Sequence, residues 1–261
     1  KNKTMNEKNI FLEKEIPYAQ FEMISIDRKS LQSMPREILD PLLSGSLTPI
    51  IQARVDTRNG NSYAIPMKAQ LVRDEKGEVQ LLAYPLHKDI DNTLGLNRHE
   101  LDKVGKGEVI TKDFTQKDGT RTQRFVQMDP ETKSLMYRDV ATLQLPERLK
   151  DMEKVKDIEL GQNQKEAAQE GKPVELNVGD EKVTVGVDLR EPQGFKVVNG
   201  DMDEWKRQQA IRYDDAHPEY VGYVQTDENR WEYRQLQIRQ EEQKLTDTQK
   251  KEKKKTEGLK L

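Results

Sequence analysis

Apolar positions along the chain follow two rhythms in alternation. Short stretches recur every three or four residues, the period of one helix face. Each is followed by segments in which apolar and polar residues alternate one for one, the period of a half-covered strand. At the front, 16–21 and 25–31 read as two short helical segments. Pro35 to Gly45 reads as a helix with Pro35 near its first turn and a glycine at its end. Strands are expected at 49–56, 62–73 and 78–85, with turns at Arg58-Asn59-Gly60 and Asp74-Glu75-Lys76-Gly77. The same order returns twice. Asn97 and Asn163 read as N-caps, with Glu100 and Glu166 three residues on, and Gly105 and Gly171 as left-handed stops.

Strands are expected at 108–114, 120–128 and 135–140, the first two joined through Asp118-Gly119. In the later copy, strands are expected at 174–178 and 183–189. The similarity of RFVQMDPETKSLMYRD (124–139) to GYVQTDENRWEYRQL (222–236) assigns 220–226 and 230–236 as that copy's closing strands, after an insertion at about 190–219. Within the insertion, Asp201 caps a helix running to about Tyr213, whose Met202, Trp205 and Ile211 are expected against the copy's own sheet.

The expected class is α+β: tandem units of a short helix plus an antiparallel three-stranded β-meander. The corresponding organisation is a mobile N-terminal segment 1–15 and an N-terminal domain 16–92 of helical segments plus meander. A repeat follows at 93–145, a charged linker or helix at 146–162, a second repeat at 163–238 and a charged, disordered tail at 239–261.

Composition fits several small cores better than one large one. Of 261 residues, 33% are hydrophobic and 35% charged, against about 25% charged in an average soluble domain. The net charge of −3 argues against a uniformly basic, phosphate-binding surface. The sequence has no cysteine, which excludes disulfides, thiol catalysis and Cys-ligated zinc. No apolar run approaches the about 20 residues of a membrane-spanning helix, and the expected location is the cytoplasm.

Ile16-Pro17-Tyr18, Phe21, Ile26, Arg28 and Leu31, then Leu42-Leu43, Gly45 and Thr48, then Ala69, Leu71, Arg73-Asp74-Glu75, Gly77 and Val79 resemble one family of uncharacterised Bacteroidetes domains. Gly171-Lys172-Pro173-Val174 with Tyr223-Val224-Gln225 and Asp227 resembles a second, often found downstream of the first. Both families occur on conjugative and other mobile elements, sometimes associated with type IA DNA topoisomerases. The resemblance implies a mobile-element accessory protein and carries over no catalytic residue.

Little reads as catalysis. His87 follows a strand and His99 sits in a capped helix, and neither is read as half of a helical metal pair. Gly105-Lys106-Gly107 lacks the phosphate-loop frame and closes a helix, where the dipole repels phosphate. One cluster, Asp214, Asp215, His217 and Glu219, has the oxygen and nitrogen donors of a metal site, against a bland reading as a solvated turn. Arg121, Arg124 and Arg138, and Arg230, Trp231, Tyr233 and Arg234, put arginines beside aromatics on hairpins, a pattern that holds single-stranded nucleic acid. The leading expectation is a non-enzymatic interaction protein without cofactor, bound to a protein partner through small sheets. A nucleic-acid-binding protein stands second and a metal-dependent enzyme third.

Overall fold

The computed structural model describes residues 10–56, 61–74, 76–116, 118–143, 155, 157–214, 221–226 and 230–236, with backbone alone at 210–214. The α+β class is observed. After a 3-10 turn at Glu13–Glu15, three helices, α1 (Tyr18–Glu22), α2 (Arg28–Gln32) and α3 (Arg36–Ser44), precede strands β1 (Ile51–Asp56), β2 (Ser62–Arg73) and β3 (Val79–Pro85). Helix α4 (Arg98–Gly105) precedes β4 (Ile110–Thr115), β5 (Arg121–Met128) and β6 (Leu135–Asp139), and a short α5 (Val140–Leu143) follows. Helix α6 (Gln162–Gln169) precedes β7 (Val174–Val178), β8 (Glu181–Val187) and β9 (Phe195–Asn199). Then come α7 (Met202–Asp214), β10 (Val221–Gln225) and β11 (Trp231–Gln235).

One helix followed by an antiparallel meander thus occurs three times, as α3-β1-β2-β3, α4-β4-β5-β6 and α6-β7-β8-β9. The last of these corrects the sequence reading. The third strand of the later copy is β9, inside the stretch taken for an insertion, and it pairs with β8 through Val187↔Phe195 and Val183↔Asn199. The 220–236 hairpin belongs elsewhere. Strand β10 lies parallel to β1, Ile51 opposite Tyr223, and the front sheet becomes five-stranded in the order β11-β10-β1-β2-β3. A local meander and this remote insertion present the same alternation of apolar residues, so alternation alone could not separate them.

Two caps differ from expectation. Asn97 accepts from the Glu100 N–H and Glu100 from the Asn97 N–H, closing the expected box. In α6 only one half of a box is present and it is shifted by two: the Gln164 side chain accepts from the Gly161 N–H, and Asn163 lies inside the helix. The left-handed residue after α4 is Gly107 (φ 88°), and Gly105 is the helix's last residue.

Residues 10–15, read as part of a mobile segment, are docked. Phe11 is 3% exposed, and the Ile10 and Phe11 N–H groups donate to the Leu43 carbonyl. Within the expected linker, Val155 and Leu160 are buried in a core cluster. The tail at 239–261 lies outside the described residues.

Strand β2 shows how the units pack. Its alternate residues Met67, Ala69 and Leu71 face the core made with α1, α2 and α3. The intervening Lys68 and Gln70 are also buried, against the other two units. The middle sheet is likewise covered twice. Val126, Met128 and Leu135 pack with Val104 of α4, while Phe125 and Met136 join the valines of β8 in a shared core. In the third unit Gly186 leaves room for Trp205 of α7, whose ring atoms lie 2.6 Å from where a Cβ would stand. That seats Trp205 on its unit's own sheet, as expected.

Candidate interaction surface

Each middle strand ends in an aspartate, Asp74, Asp129 or Asp188, whose carboxylate accepts backbone N–H groups of the following turn: Lys76 and Glu78, Thr132, and Arg190. Asp129 and Asp188 are fully buried. Asp129 also accepts from Lys68 Nζ at 3.1 Å, a buried pair between the first and second units. Asp188 holds Arg190 through Nε (2.7 Å) and Nη2 (2.9 Å). In the similarity of 124–139 to 222–236, Asp129 aligns with Asp227, which lies outside the described residues. The counterpart of Asp129 in the third unit is Asp188.

Between the aspartates a single peptide segment is clamped from both sides. Gln127 Oε1 accepts from the Leu189 N–H at 2.7 Å, and Gln70 Nε2 donates to the Leu189 carbonyl at 2.9 Å. Gln70 Oε1 accepts from Arg138 Nη2 at 2.8 Å, and Arg138 Nη1 donates to Tyr84 Oη at 3.3 Å. Burial raises the Tyr84 phenol above its ordinary pKa, opposed by the Arg138 charge. Arg138, a nucleic-acid candidate on sequence grounds, is therefore a tie between the first and second units. It borders two adjoining hollows, of about 280 and 370 Å³. Their charged lining is mixed, Arg73 and Lys76 beside Asp74, Asp139 and Glu191.

The other arginines divide. Arg124 donates from Nε to Asp139 at 2.7 Å and lies over the rings of Phe114 and Tyr137. Arg121 is exposed at the start of β5. Arg230, Trp231, Tyr233 and Arg234 stand on or beside β11, in a different sheet from Arg121, Arg124 and Arg138. Trp231, a nucleic-acid candidate on sequence grounds, packs against the front core and donates from Nε1 to the Ser30 carbonyl at 3.1 Å. Beside it, Gln225 Nε2 donates to Ser30 Oγ at 2.8 Å. Together these tie the hairpin to α2.

Tyr233 stands differently. It is 62% exposed, meets Tyr223 edge to face at a 5.1 Å centroid distance, and lies on a strand at the sheet's outer edge. Burial, with the Glu37 charge, raises the Tyr223 phenol above its ordinary pKa. Glu232 and Arg234, on the face opposite Tyr233, are exposed too. The strand-edge position of these residues was not readable without knowing that β10 pairs with β1.

Residues 11–94 match the family described as Protein of unknown function (DUF4099). No curated protein matches the chain, and no solved structure does. The DUF4099 match spans the docked N-terminal residues, α1–α3 and β1–β3. It stops well short of β10 and β11, the two strands that complete the same sheet.

Of the metal candidates, Asp215, His217 and Glu219 lie outside the described residues, as does the side chain of Asp214. Among the described residues no three His, Asp or Glu side chains converge on a common point. His87 Nε2 lies 3.5 Å from Asp91 Oδ2, a carboxylate four residues on that the sequence reading passed over. No described helix is long and apolar enough to cross a membrane.

Proposed function

We propose that this chain is a non-enzymatic accessory protein of a mobile genetic element, acting in the cytoplasm by binding a protein partner through the edge of its front sheet. The observation that carries this reading is β11. It is an exposed outer strand, firmly backed by the Ser30 contacts, that presents Tyr233, Glu232 and Arg234. Open strand edges recruit other chains by strand addition, and exposed tyrosine is a frequent anchor in such contacts. The mobile-element part rests on the resemblance of the front and rear segments to Bacteroidetes families. The match to a family of unknown function at 11–94 is compatible with it.

A second reading, nucleic-acid binding, has one favouring observation: Arg230 and Arg234 are exposed at the hairpin that carries the exposed Tyr233, on the opposite face from it. A photo-crosslinking residue at position 233, with one at Thr111 as control, tests the first. Discrete protein adducts specific to 233 are expected, and their absence would remove the reading. Fluorescence anisotropy with single- and double-stranded DNA tests the second. Steep salt-dependent binding, lost with Arg230→Ala and Arg234→Ala, would replace a protein partner with nucleic acid.

A further inference from the structure

Among the described residues, strand β11 has an unpaired side, and its chemistry is self-complementary. The Tyr223 N–H donates to the Ile50 carbonyl at 2.8 Å, so at Tyr223 the backbone points toward β1 and away from β11. The Thr226 N–H donates to the Arg230 carbonyl at 3.0 Å, which makes 226 and 230 a hydrogen-bonded pair of the hairpin. Antiparallel pairs alternate. Residues 230, 232 and 234 therefore direct their N–H and C=O groups to β10. Trp231, Tyr233 and Gln235 direct theirs outward, with no backbone partner among the described residues.

Now let two copies of this edge meet antiparallel about a two-fold axis. Centred on Tyr233, the register pairs Tyr233 with Tyr233 and Trp231 with Gln235 through hydrogen bonds. Glu232 of each copy falls opposite Arg234 of the other in a non-hydrogen-bonded pair, where side chains approach most closely. The two neighbouring registers that keep the outward groups aligned put Glu232 opposite Glu232 or Arg234 opposite Arg234. Like charges directly opposite are destabilising. No ion pair within the chain engages Glu232 or Arg234 among the described residues.

We propose that β11 is the interface of a homodimer, in which two five-stranded sheets join edge to edge in the Tyr233-centred register. The proposal rests on the reading of β11 as a protein-binding edge and names a second copy of this chain as the occupant. The interface is isologous, so each substitution acts twice.

Analytical ultracentrifugation of the full chain tests it, run up to about 1 mM because a five-residue strand pair falls below the about 1,200 Å² of a standard interface. A concentration-dependent doubling of mass is expected. Glu232→Arg alone and Arg234→Glu alone should each abolish it. The double variant should restore it, and an equimolar mixture of the two single variants should form a heterodimer. Tyr233→Pro should also give a monomer with unchanged circular dichroism, because the lost N–H faces outward. A monomeric wild type, or dimers indifferent to these charges, would overturn the proposal. Adducts from position 233 to a different protein would then leave the edge-binding reading standing, whereas no adducts at all would remove both.

Discussion

Gln70 and Gln127 hold the backbone of Leu189 between them, one at its carbonyl and one at its N–H. Both side chains are about 1% exposed, so neither lost bond would be replaced by water without opening the junction. Gln127→Leu keeps the volume and leaves the Leu189 N–H unpaired. The expected loss is about 1–3 kcal/mol, measured by urea denaturation with an unchanged m-value. At the surface, Glu204 is held well below its ordinary pKa, to about 2, by hydrogen bonds from Arg207 and then Gln208. A depressed carboxylate stabilises the fold above its unfolded pKa, and that contribution disappears as pH falls through the folded value. NMR titration should place the Glu204 midpoint near 2, and Arg207→Ala should return it toward the usual carboxylate range. The Asn97–Glu100 box was legible because its residues sit at fixed spacing. Gly161 and Gln164 were not, since a glycine N-cap has no side chain to announce it and Asn163 offered a better-looking alternative.

Among the elements, the hairpin β10–β11 has the most specific requirement. A Cβ on Gly222 would lie 2.5 Å from the Ile50 carbonyl oxygen, a backbone atom that cannot step aside. Gly222→Val is expected to detach the hairpin. Hydrogen exchange should then lose protection at 221–235 while β4–β9 keep theirs, and indole fluorescence should shift as Trp231 leaves Ser30. Equal loss everywhere would mean the hairpin is not a separable element. The strands themselves were well marked by alternation and turn residues, β2 and β7 to the residue. Partner choice was not. Val221, Tyr223 and Gln225 alternate as any half-covered strand does, and only the missing side chain at Gly222 hints at a backbone crossing close by.

At the scale of the whole molecule, three small meanders meet in one shared apolar cluster, beside separate cores in the first and second units. Phe125 and Met136 of the second unit pack with Val183, Val185 and Val187 of the third and Tyr84 of the first. The polar ties Lys68–Asp129, Gln70–Arg138 and Gln127–Leu189 run through the same junction. Calorimetry should therefore record a single transition with equal van't Hoff and calorimetric enthalpies, and resolved transitions for separate units would contradict this. Asp129→Ala leaves Lys68 its half-exposed partner Glu131 but strips the buried Thr132 N–H of its acceptor, and is expected to cost about 1–3 kcal/mol. The lean composition foretold small cores but not the junction between them. The residues that join them, Lys68, Gln70, Gln127 and Asp188, are polar and look like surface in a linear reading.

The parallel pairing of β1 with β10 also sets a timetable. Ile51 and its partner Tyr223 are separated by about 170 residues, and ribosomes add roughly 5–20 residues per second. A nascent chain thus holds the front meander for roughly 10–30 s with one flank of β1 bare. Throughout that window the vacant flank is open to the newly emerged, still undocked hairpin of a neighbouring chain. Chains made on one crowded message are in this way exposed to exchanging hairpins before each receives its own.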